Sequence, residues 1–547
     1  MKYILLPAFF AMSSLVYAQD TLTKQDIISG EKLSAISFKP AERDSLYDNV
    51  KSTVKDIEHM HNYHLDNSVQ MTMAETPVLP GMKFNKIQQP INWQYPKISM
   101  PKDKNDLAFY SILQLASLIK NKQISSVALT NFFLERLKKY SDTLQCVISL
   151  TREFALKQAQ EADREIAAGN YKGPLHGIPF GIKDLFAVKN TKTTWGAAPY
   201  KDQIIDEDSY VYTKLRAAGG VLIAKFTLGA LAMGDYWYGG RTKNPWNLQY
   251  GSSGSSAGST AATVAGLVPY AIGTETYGSI ISPSSTCGAT GLRPTFGSIS
   301  RSGAMTLSWS LDKVGPICRS AEDAAVVFAY LHGTDGKDAS AVSMPFNYSG
   351  NINLSKLRIG YAKNYFASRD TMGNEGSVLK DLRRAGAKLI PVDFPDSGVY
   401  DIDIMGIVIG AECAAAFDEF TRSDLDDMMT RQGKYDWPNQ FRSARFIPAV
   451  DYINANRHRR VLMEKVNDVM KQFDVIICPT FAGSQTAITN LTGYPALCMP
   501  TGFNKNKLPT SIVLIGKLYD EGTLLSIGKA YQQKTEWNKI HPDFFKK

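Results

Sequence analysis

The densest run of chemically capable residues is a glycine- and serine-rich tract at residues 251–279, GSSGSSAGSTAATVAGLVPYAIGTETYGS. Its first turn leads into an alanine-rich helix predicted at 259–266 and then a buried strand. A second turn, Tyr277-Gly278-Ser279, ends that strand. A flexible linker does not alternate with core elements in this way. Serines on tight turns beside free backbone N–H groups are instead positions where a nucleophile can be exposed and an oxyanion held.

A second candidate is Lys183, which directly follows the apolar, strand-like run at 178–182. One interpretation is a surface charge paired with its neighbour Asp184. The other is a lysine that the strand removes from water, which lowers its pKa and leaves a neutral amine able to accept a proton. Taken alone, these residues leave both interpretations open.

Together the two segments resemble the amidase signature family, and the resemblance covers most of residues 106–540. Several motifs occur in the family's order, which makes chance similarity a poor explanation. The aligned motifs are Ser253-Gly254-Ser255-Ser256-Ala257-Gly258-Ser259, Leu267-Val268-Pro269, Gly273-Thr274-Glu275-Thr276-Tyr277-Gly278-Ser279, Cys287-Gly288, Gly291-Leu292-Arg293-Pro294-Thr295, Gly315-Pro316 and Asn490-Leu491-Thr492-Gly493-Tyr494-Pro495.

The resemblance implies hydrolysis of a carboxylic-acid amide by a Ser-cisSer-Lys triad. Ser279 is then the nucleophile, because a serine hydroxyl paired with a base can form an acyl-enzyme. Lys183 is the base, and Ser255, which follows a cis peptide bond in the family, relays the proton between them. The resemblance implies no metal and no cofactor. The oxyanion is held by the N–H groups of Thr276, Tyr277, Gly278 and Ser279.

The choice of bridging serine depends on a count, because the tract contains two Ser-Ser pairs, at 252–253 and 255–256. Counting back from Leu267-Val268-Pro269 places the family's bridging serine at Ser255. Choosing Ser252 requires an insertion in the intervening helix. We therefore assign Ser255.

Four departures from the family pattern surround this site. Tyr277 stands where the family has glycine, and Glu275 where it usually has aspartate. Ile281 replaces an arginine, so we expect a supporting ion pair to be missing. The stretch 480–489 is short, which favours a more open substrate pocket.

Around these motifs, helical and strand-like segments alternate from residue 106 onward. Helices are predicted at 107–120, from Ser125 or Ser126, and at 152–168. This alternation predicts an α/β protein with a largely parallel or mixed sheet, formed by one domain at 106–547. The resemblance implies that this is the amidase catalytic domain, with the amidase-signature fold: one large twisted mixed β-sheet flanked by helices on both faces. Strand-like runs lie at 178–182, 220–224, 267–273, 357–361, 388–393, 474–478 and 510–515.

Residues 19–105 are predicted to form an N-terminal helical extension followed by a proline-rich strap. A helix is expected from Pro40 through residue 65, with proline in its first turn. His59, His61 and His64 fall on this predicted helix, but only two of them share a face. We therefore interpret them as a solvated polar face rather than a metal site.

Residues 1–18 are typical of a signal peptide: a basic start, an apolar run and a small-x-small cleavage site before Gln19. We therefore expect an exported protein, periplasmic or secreted, that has no membrane contact once this segment is removed.

The net charge of +9 is spread along the chain without a block of like charges, so no nucleic-acid partner is expected. The six cysteines are expected to be buried free thiols. The substrate is expected to be a small-molecule or peptide amide, and no oligomeric state is predicted.

Three alternatives stay open at this point. Gly254-Ser255-Ser256-Ala257-Gly258 also fits a nucleophile elbow, making Ser256 the nucleophile of an α/β-hydrolase-type esterase with His332, His458 or His541. A glutaminase-type subunit of a tRNA-dependent amidotransferase shares the same motifs, although it works inside the cell with other subunits. The third alternative is a binding protein that has lost activity.

Overall fold

The computed structural model describes residues 22–64, 66–69, 75–367, 374–396 and 402–547. The predicted signal peptide lies outside these residues. The chain forms two compact units, Met1–Leu65 and Asp66–Lys547.

The first unit contains α1 (Lys24–Leu33) and α2 (Pro40–Met60). Pro40 occupies the first turn of α2, as predicted, because proline needs no N–H donor there. The predicted extent of this helix was wrong: it ends at Met60, so His61 and His64 follow the helix instead of lying on it.

Three helices of the second unit begin at a serine whose hydroxyl accepts a first-turn N–H group: α3 at Ser111, α4 at Ser125 and α9 at Ser320. The single helix predicted at 107–120 is instead a 3₁₀ turn at Lys104–Phe109 followed by α3. The remaining bounds are α3 Ile112–Lys120, α4 Ser126–Leu144, α5 Arg152–Ala167, α6 Tyr210–Ala217, α7 Ala257–Val264, α8 Ile281–Cys287, α9 Ala321–Leu331, α10 Lys363–Ala367, α11 Asn374–Arg384, α12 Ile404–Ala416, α13 Asp418–Arg422, α14 Trp437–Ala444, α15 Ala449–Met470, α16 Gln485–Thr492 and α17 Glu521–Thr535.

Within the described residues, 11 strands form one mixed sheet in the order β1-β3-β2-β8-β10-β9-β14-β15-β13-β11-β12. Two small hairpins, β4-β5 and β6-β7, lie outside it. The strands are β1 Val147–Leu150, β2 Pro179–Lys183, β3 Val221–Phe226, β4 Tyr236–Trp237, β5 Gly240–Arg241, β6 Lys243–Asn244, β7 Asn247–Gly251, β8 Ala271–Glu275, β9 Thr290–Arg293, β10 Lys313–Cys318, β11 Ile359–Ala362, β12 Leu389–Val392, β13 Val475–Pro479, β14 Ala496–Phe503 and β15 Pro509–Gly516.

Both faces of the sheet are buried, as the alternation of side chains along β13 shows. Val475 and Ile477 pack into one hydrophobic cluster, whereas Ile476 and Cys478 pack into another. Successive strand residues point to opposite faces, so helices cover the sheet on each side. The predicted fold class is confirmed, and each predicted strand-like run overlaps a strand of this sheet.

All six cysteines are free and buried, as expected. In the part of the chain that the structure describes, no helix combines the length and the apolar character needed to cross a bilayer.

Candidate active site

Lys183 is the last residue of β2, and its side chain is completely buried. Its Nζ atom donates hydrogen bonds to Ser255 Oγ at 2.8 Å and to Thr274 Oγ1 at 2.8 Å, with Thr274 O at 3.4 Å. Asp184 pairs instead with Lys225 on β3, across 2.9 Å. The surface-charge interpretation of Lys183 is therefore wrong.

The environment of Lys183 favours the neutral amine. Burial lowers the pKa of Lys183 to about 7, although the negative charges of Asp312 and Glu275 act in the opposite direction. A lysine with a pKa near neutrality is partly neutral at physiological pH and can act as a base, whereas an exposed lysine, with a pKa of about 10.4, is almost entirely protonated.

Ser255 is reached through the Gly254–Ser255 peptide bond, which is cis. Its side chain is buried, and its hydroxyl contacts Lys183. Ser252 Oγ donates to the carbonyl of Ser253 at 2.8 Å instead. Gly254 fits only without a side chain, because a Cβ atom there would lie 1.8 Å from Gly234 O. Of the two serines that the count distinguished, Ser255 is therefore the one beside the lysine.

The second turn, Thr276–Ser279, follows directly from β8 and lies against the first turn. Ser256 N donates to Ser279 O at 3.1 Å, which joins the two turns through their backbones. Gly278 has φ of +91°, a conformation that glycine adopts without strain. Ser279 is 9% exposed and Tyr277 is 48% exposed, so Tyr277 is the open side chain of this turn.

An ion pair supports this turn, contrary to the expectation drawn from Ile281. Arg293 Nη1 on β9 donates to Glu275 Oε1 at 2.8 Å, and Asn490 Nδ2 donates to the same oxygen at 2.9 Å. The other oxygen, Oε2, accepts the N–H groups of Ile280 and Ile281, each at 2.9 Å. Glu275 therefore ties β8, β9, α8 and α16 together behind the turn.

Glu275 remains ionised despite its burial. Burial by itself raises the pKa of Glu275, but the Arg293 guanidinium and the backbone donors outweigh it and lower that pKa to about 2.

Two polar residues of this site were not predicted from the sequence. Thr274 contacts Lys183, and Asp312 accepts a hydrogen bond from Thr276 Oγ1 at 2.5 Å. Asp312 precedes the Gly315-Pro316 motif by only a few residues. That proximity was the available signal, but nothing in the spacing indicates which turn Asp312 reaches.

Ser256 is placed as a structural residue. Its side chain is buried; Ser256 Oγ donates to Thr274 O at 3.0 Å and accepts from Thr274 N at 3.2 Å. Both contacts are to the backbone of strand β8 and neither is to a histidine, so the nucleophile-elbow hypothesis is wrong.

Within the described residues, no three His, Cys, Asp or Glu side chains are grouped so that they could hold a metal ion.

Comparison with known proteins establishes the family. The family described as Amidase matches residues 128–489, about two thirds of the chain. A glutamyl-tRNA(Gln) amidotransferase subunit of Coxiella burnetii is 34% identical over 480 residues, which are 79% of this chain and 99% of that protein. The chain belongs to the amidase signature family.

Solved structures agree with this assignment. The native peptide amidase from Stenotrophomonas maltophilia has a TM-score of 0.70 at 28% identity, covering 79% of this chain and 98% of that one. A glutamyl-tRNA(Gln) amidotransferase subunit from Thermotoga maritima has a TM-score of 0.67 at 26% identity, covering 81% and 98%. The protein is thus an amidase-family hydrolase that acts on carbon–nitrogen amide bonds.

Proposed function

We propose that this protein hydrolyses a carboxamide to a carboxylate and ammonia or an amine through an acyl-enzyme on Ser279. Lys183 acts as the general base and Ser255 as the proton relay. The single observation that carries the proposal is the contact of a fully buried lysine amine with Ser255 Oγ at 2.8 Å.

The proton path follows from the chemistry of these groups. Ser279 Oγ attacks the amide carbonyl carbon while its proton passes to Ser255, whose own proton passes to the neutral amine of Lys183. The carbonyl oxygen becomes an oxyanion beside the N–H groups of Tyr277, Gly278 and Ser279, with Thr276 at the start of the turn.

Collapse of this intermediate breaks the carbon–nitrogen bond. The proton held by Lys183 returns through Ser255 to the leaving nitrogen, which departs as ammonia or an amine. Water then attacks the acyl-enzyme, again losing its proton to Lys183. The carboxylate leaves, and Ser279 regains its hydrogen, so the cycle consumes one water for each amide and requires no other reactant.

Several features support this assignment over an inactive binding protein. Lys183, Ser255 and Ser279 are all present, and the pKa of Lys183, lowered by burial to about 7, suits proton transfer. The similarity to a peptide amidase supports a small-molecule or peptide amide as substrate. We propose no nucleic-acid partner for this activity.

The test is ammonia or amine release from a panel of aliphatic amides, anilides and peptide C-terminal amides. Ser279→Ala should abolish turnover, and Ser255→Ala should lower kcat/KM by roughly 10²- to 10⁴-fold, the usual range for lost proton transfer. Ser252→Ala is the matched control and should retain wild-type activity, because its hydroxyl contacts only a neighbouring carbonyl. Full turnover by Ser279→Ala would contradict the proposal.

A second candidate function is the glutamine-hydrolysing component of a tRNA-dependent amidotransferase. It is favoured by the relatives from Coxiella burnetii and Acinetobacter baumannii that are named as glutamyl-tRNA(Gln) amidotransferase subunits. The decisive assay mixes the purified chain with the other subunits of such an enzyme and glutamyl-tRNA(Gln). Glutamine-dependent formation of glutaminyl-tRNA would establish this function, whereas amide hydrolysis by the isolated chain without tRNA would favour the first.

We also propose that the protein is exported, on the basis of the signal-peptide pattern of residues 1–18. Cell fractionation followed by N-terminal sequencing tests this directly. A periplasmic or secreted protein that begins at Gln19 is expected, and a cytoplasmic protein that retains Met1 would contradict it.

A further inference from the structure

Asp312 lies at the junction between the second turn and the strand that pairs with β8. It directly precedes β10, whose Lys313 and Val314 pair with Glu275 and Thr274 of β8. This register brings the Asp312 side chain to the start of the turn, where its Oδ1 accepts from Thr276 Oγ1 at 2.5 Å.

The second carboxylate oxygen of Asp312 is fixed just as firmly. Oδ2 accepts the N–H groups of Leu307 at 2.8 Å and Ser308 at 3.0 Å. Arg301, which is held by Asp338, donates to the main-chain carbonyl of Asp312 at 3.3 Å. The orientation of the carboxylate is therefore set by three donors and its backbone is held by a fourth.

Asp312 and Glu275 hold opposite ends of the same turn. Asp312 binds Thr276 at its beginning, and Glu275 binds Ile280 and Ile281 just beyond Ser279. The N–H groups between these two anchors are those proposed to hold the oxyanion. An oxyanion site depends on donors that are already in place before the reaction.

The two carboxylates differ in how their charge is balanced. Glu275 is paired with the guanidinium of Arg293, whereas the three donors to the Asp312 carboxylate are a hydroxyl and two backbone amides. Lys313 Nζ, also buried here, donates to the carbonyl of Leu311. Of the two carboxylates that act on Lys183, Asp312 is therefore the one whose hydrogen-bond donors are all uncharged, and burial raises its pKa.

Asp312 and the lysine's partner Thr274 also border the same space. A cavity of about 50 Å³ is lined by Thr274, Thr276, Asp312 and Lys313. The cavity is therefore bordered both by Thr274, which contacts Lys183, and by Thr276, which contacts Asp312.

We propose that Asp312 is a positioning residue for the hydrolysis, resting on the function proposed above. Through Thr276 it fixes the start of the oxyanion turn, and through its charge it favours the protonated form of Lys183 against the effect of burial. Its carboxylate is bonded to Thr276, Leu307 and Ser308 rather than to the reacting serine.

The first experiment measures the rate at which a fluorophosphonate labels Ser279 as a function of pH, which needs no knowledge of the natural amide. Asp312→Asn removes the charge and keeps the shape and one acceptor oxygen, which can still serve Thr276. Its amide nitrogen replaces the oxygen that accepts from Leu307 and Ser308, so a melting curve of the same variant accompanies the labelling. Because a negative charge favours protonated Lys183, its loss should move the acid limb of the profile to lower pH. A shift of about one unit is expected, the lower end of the effect of a neighbouring charge.

Asp323→Asn is the matched control, since it removes another buried carboxylate that accepts a backbone N–H group, that of Ile112, and is not bonded to Thr276, Arg301 or the turn. It should leave the acid limb in place even if it lowers thermal stability. An Asp312→Asn profile that coincides with wild type, or an equal shift in Asp323→Asn, would overturn the charge role of Asp312.

The second experiment addresses the turn. Thr276→Val removes the hydroxyl and should slow labelling by roughly 3- to 10-fold at every pH, the equivalent of one hydrogen bond. Thr276→Ser should restore it. Equal rates for the valine and serine variants would overturn the positioning role.

The Ser279→Ala variant separates the two proposals. Labelling that persists in Ser279→Ala contradicts the proposed function itself, whereas wild-type behaviour of the Asp312 and Thr276 variants contradicts only this inference.

Discussion

Two buried lysines on adjacent strands, Lys183 and Lys225, show how partners decide the function of a side chain. Both are 0% exposed. In the parallel pairing of β2 with β3, Lys183 lies opposite Phe226, and Lys225 lies opposite Ile182. Because neighbouring residues of a strand alternate, the two lysines point to opposite faces of the sheet.

The two faces provide different partners. Lys225 meets the carboxylate of Asp184 at 2.9 Å, and it also donates to Lys192 O and Thr193 Oγ1. Lys183 meets two hydroxyls and a carbonyl, none of them charged. Burial lowers the pKa of both lysines, but only Lys225 has a carboxylate in direct contact to stabilise its ammonium. One lysine is therefore suited to an ion pair, and the other to proton transfer.

The largest expected effect separates the two lysines by activity. Lys183→Met should lower kcat/KM by roughly 10²- to 10⁴-fold, because the proton acceptor is lost. Thermal stability should change little, since the substitution removes a buried amine that has no charged partner. Steady-state kinetics and a melting curve on the same preparation check this. A large stability loss with normal kinetics would show that Lys183 is structural.

The next effect concerns stability. Lys225→Met leaves the Asp184 carboxylate buried without its counterion, which typically costs about 3–5 kcal/mol in the free energy of unfolding. Denaturant unfolding measures this cost. The double variant Lys225→Met with Asp184→Asn should recover part of the lost unfolding free energy. A double variant that is no more stable than Lys225→Met alone would contradict the ion-pair assignment.

A third prediction extends the comparison to Glu275, a buried acid with a charged partner. The pKa of Glu275 in the folded protein, about 2, lies below the ordinary glutamate pKa of about 4.3. Ionised Glu275 therefore stabilises the folded state fully at pH values above about 4.3. The contribution, about 3 kcal/mol, is lost as pH falls from roughly 5 through 2. Glu275→Gln should flatten the pH dependence of the unfolding free energy in this window. An unchanged slope would contradict the assigned pKa.

Much of this arrangement could be predicted from the sequence because it is carried by local patterns. The alternation of helical and apolar strand-like runs indicated an α/β sheet protein, and the family's spacing to Leu267-Val268-Pro269 distinguished Ser255 from Ser252. Lys183 was identified together with the alternative that it was a surface charge. Its burial depends on helices and strands far along the chain, and no local pattern reports it.

The features that were missed are those created by tertiary contact. Strand β10 contains Gly315 and Pro316, which weaken any strand signal, so its pairing with β8 was not anticipated. The contact of Asp312 with Thr276 depends on that pairing. Likewise, Ile281 suggested a missing ion pair, whereas Arg293 on another strand reaches Glu275.

The most direct measurement of the central claim is an NMR titration of the Lys183 side chain, assigned by comparison with Lys183→Met. The predicted result is a single transition near pH 7, with the neutral amine dominant above it. A Lys183 signal that stays protonated up to about pH 10, the ordinary lysine value, would contradict the account.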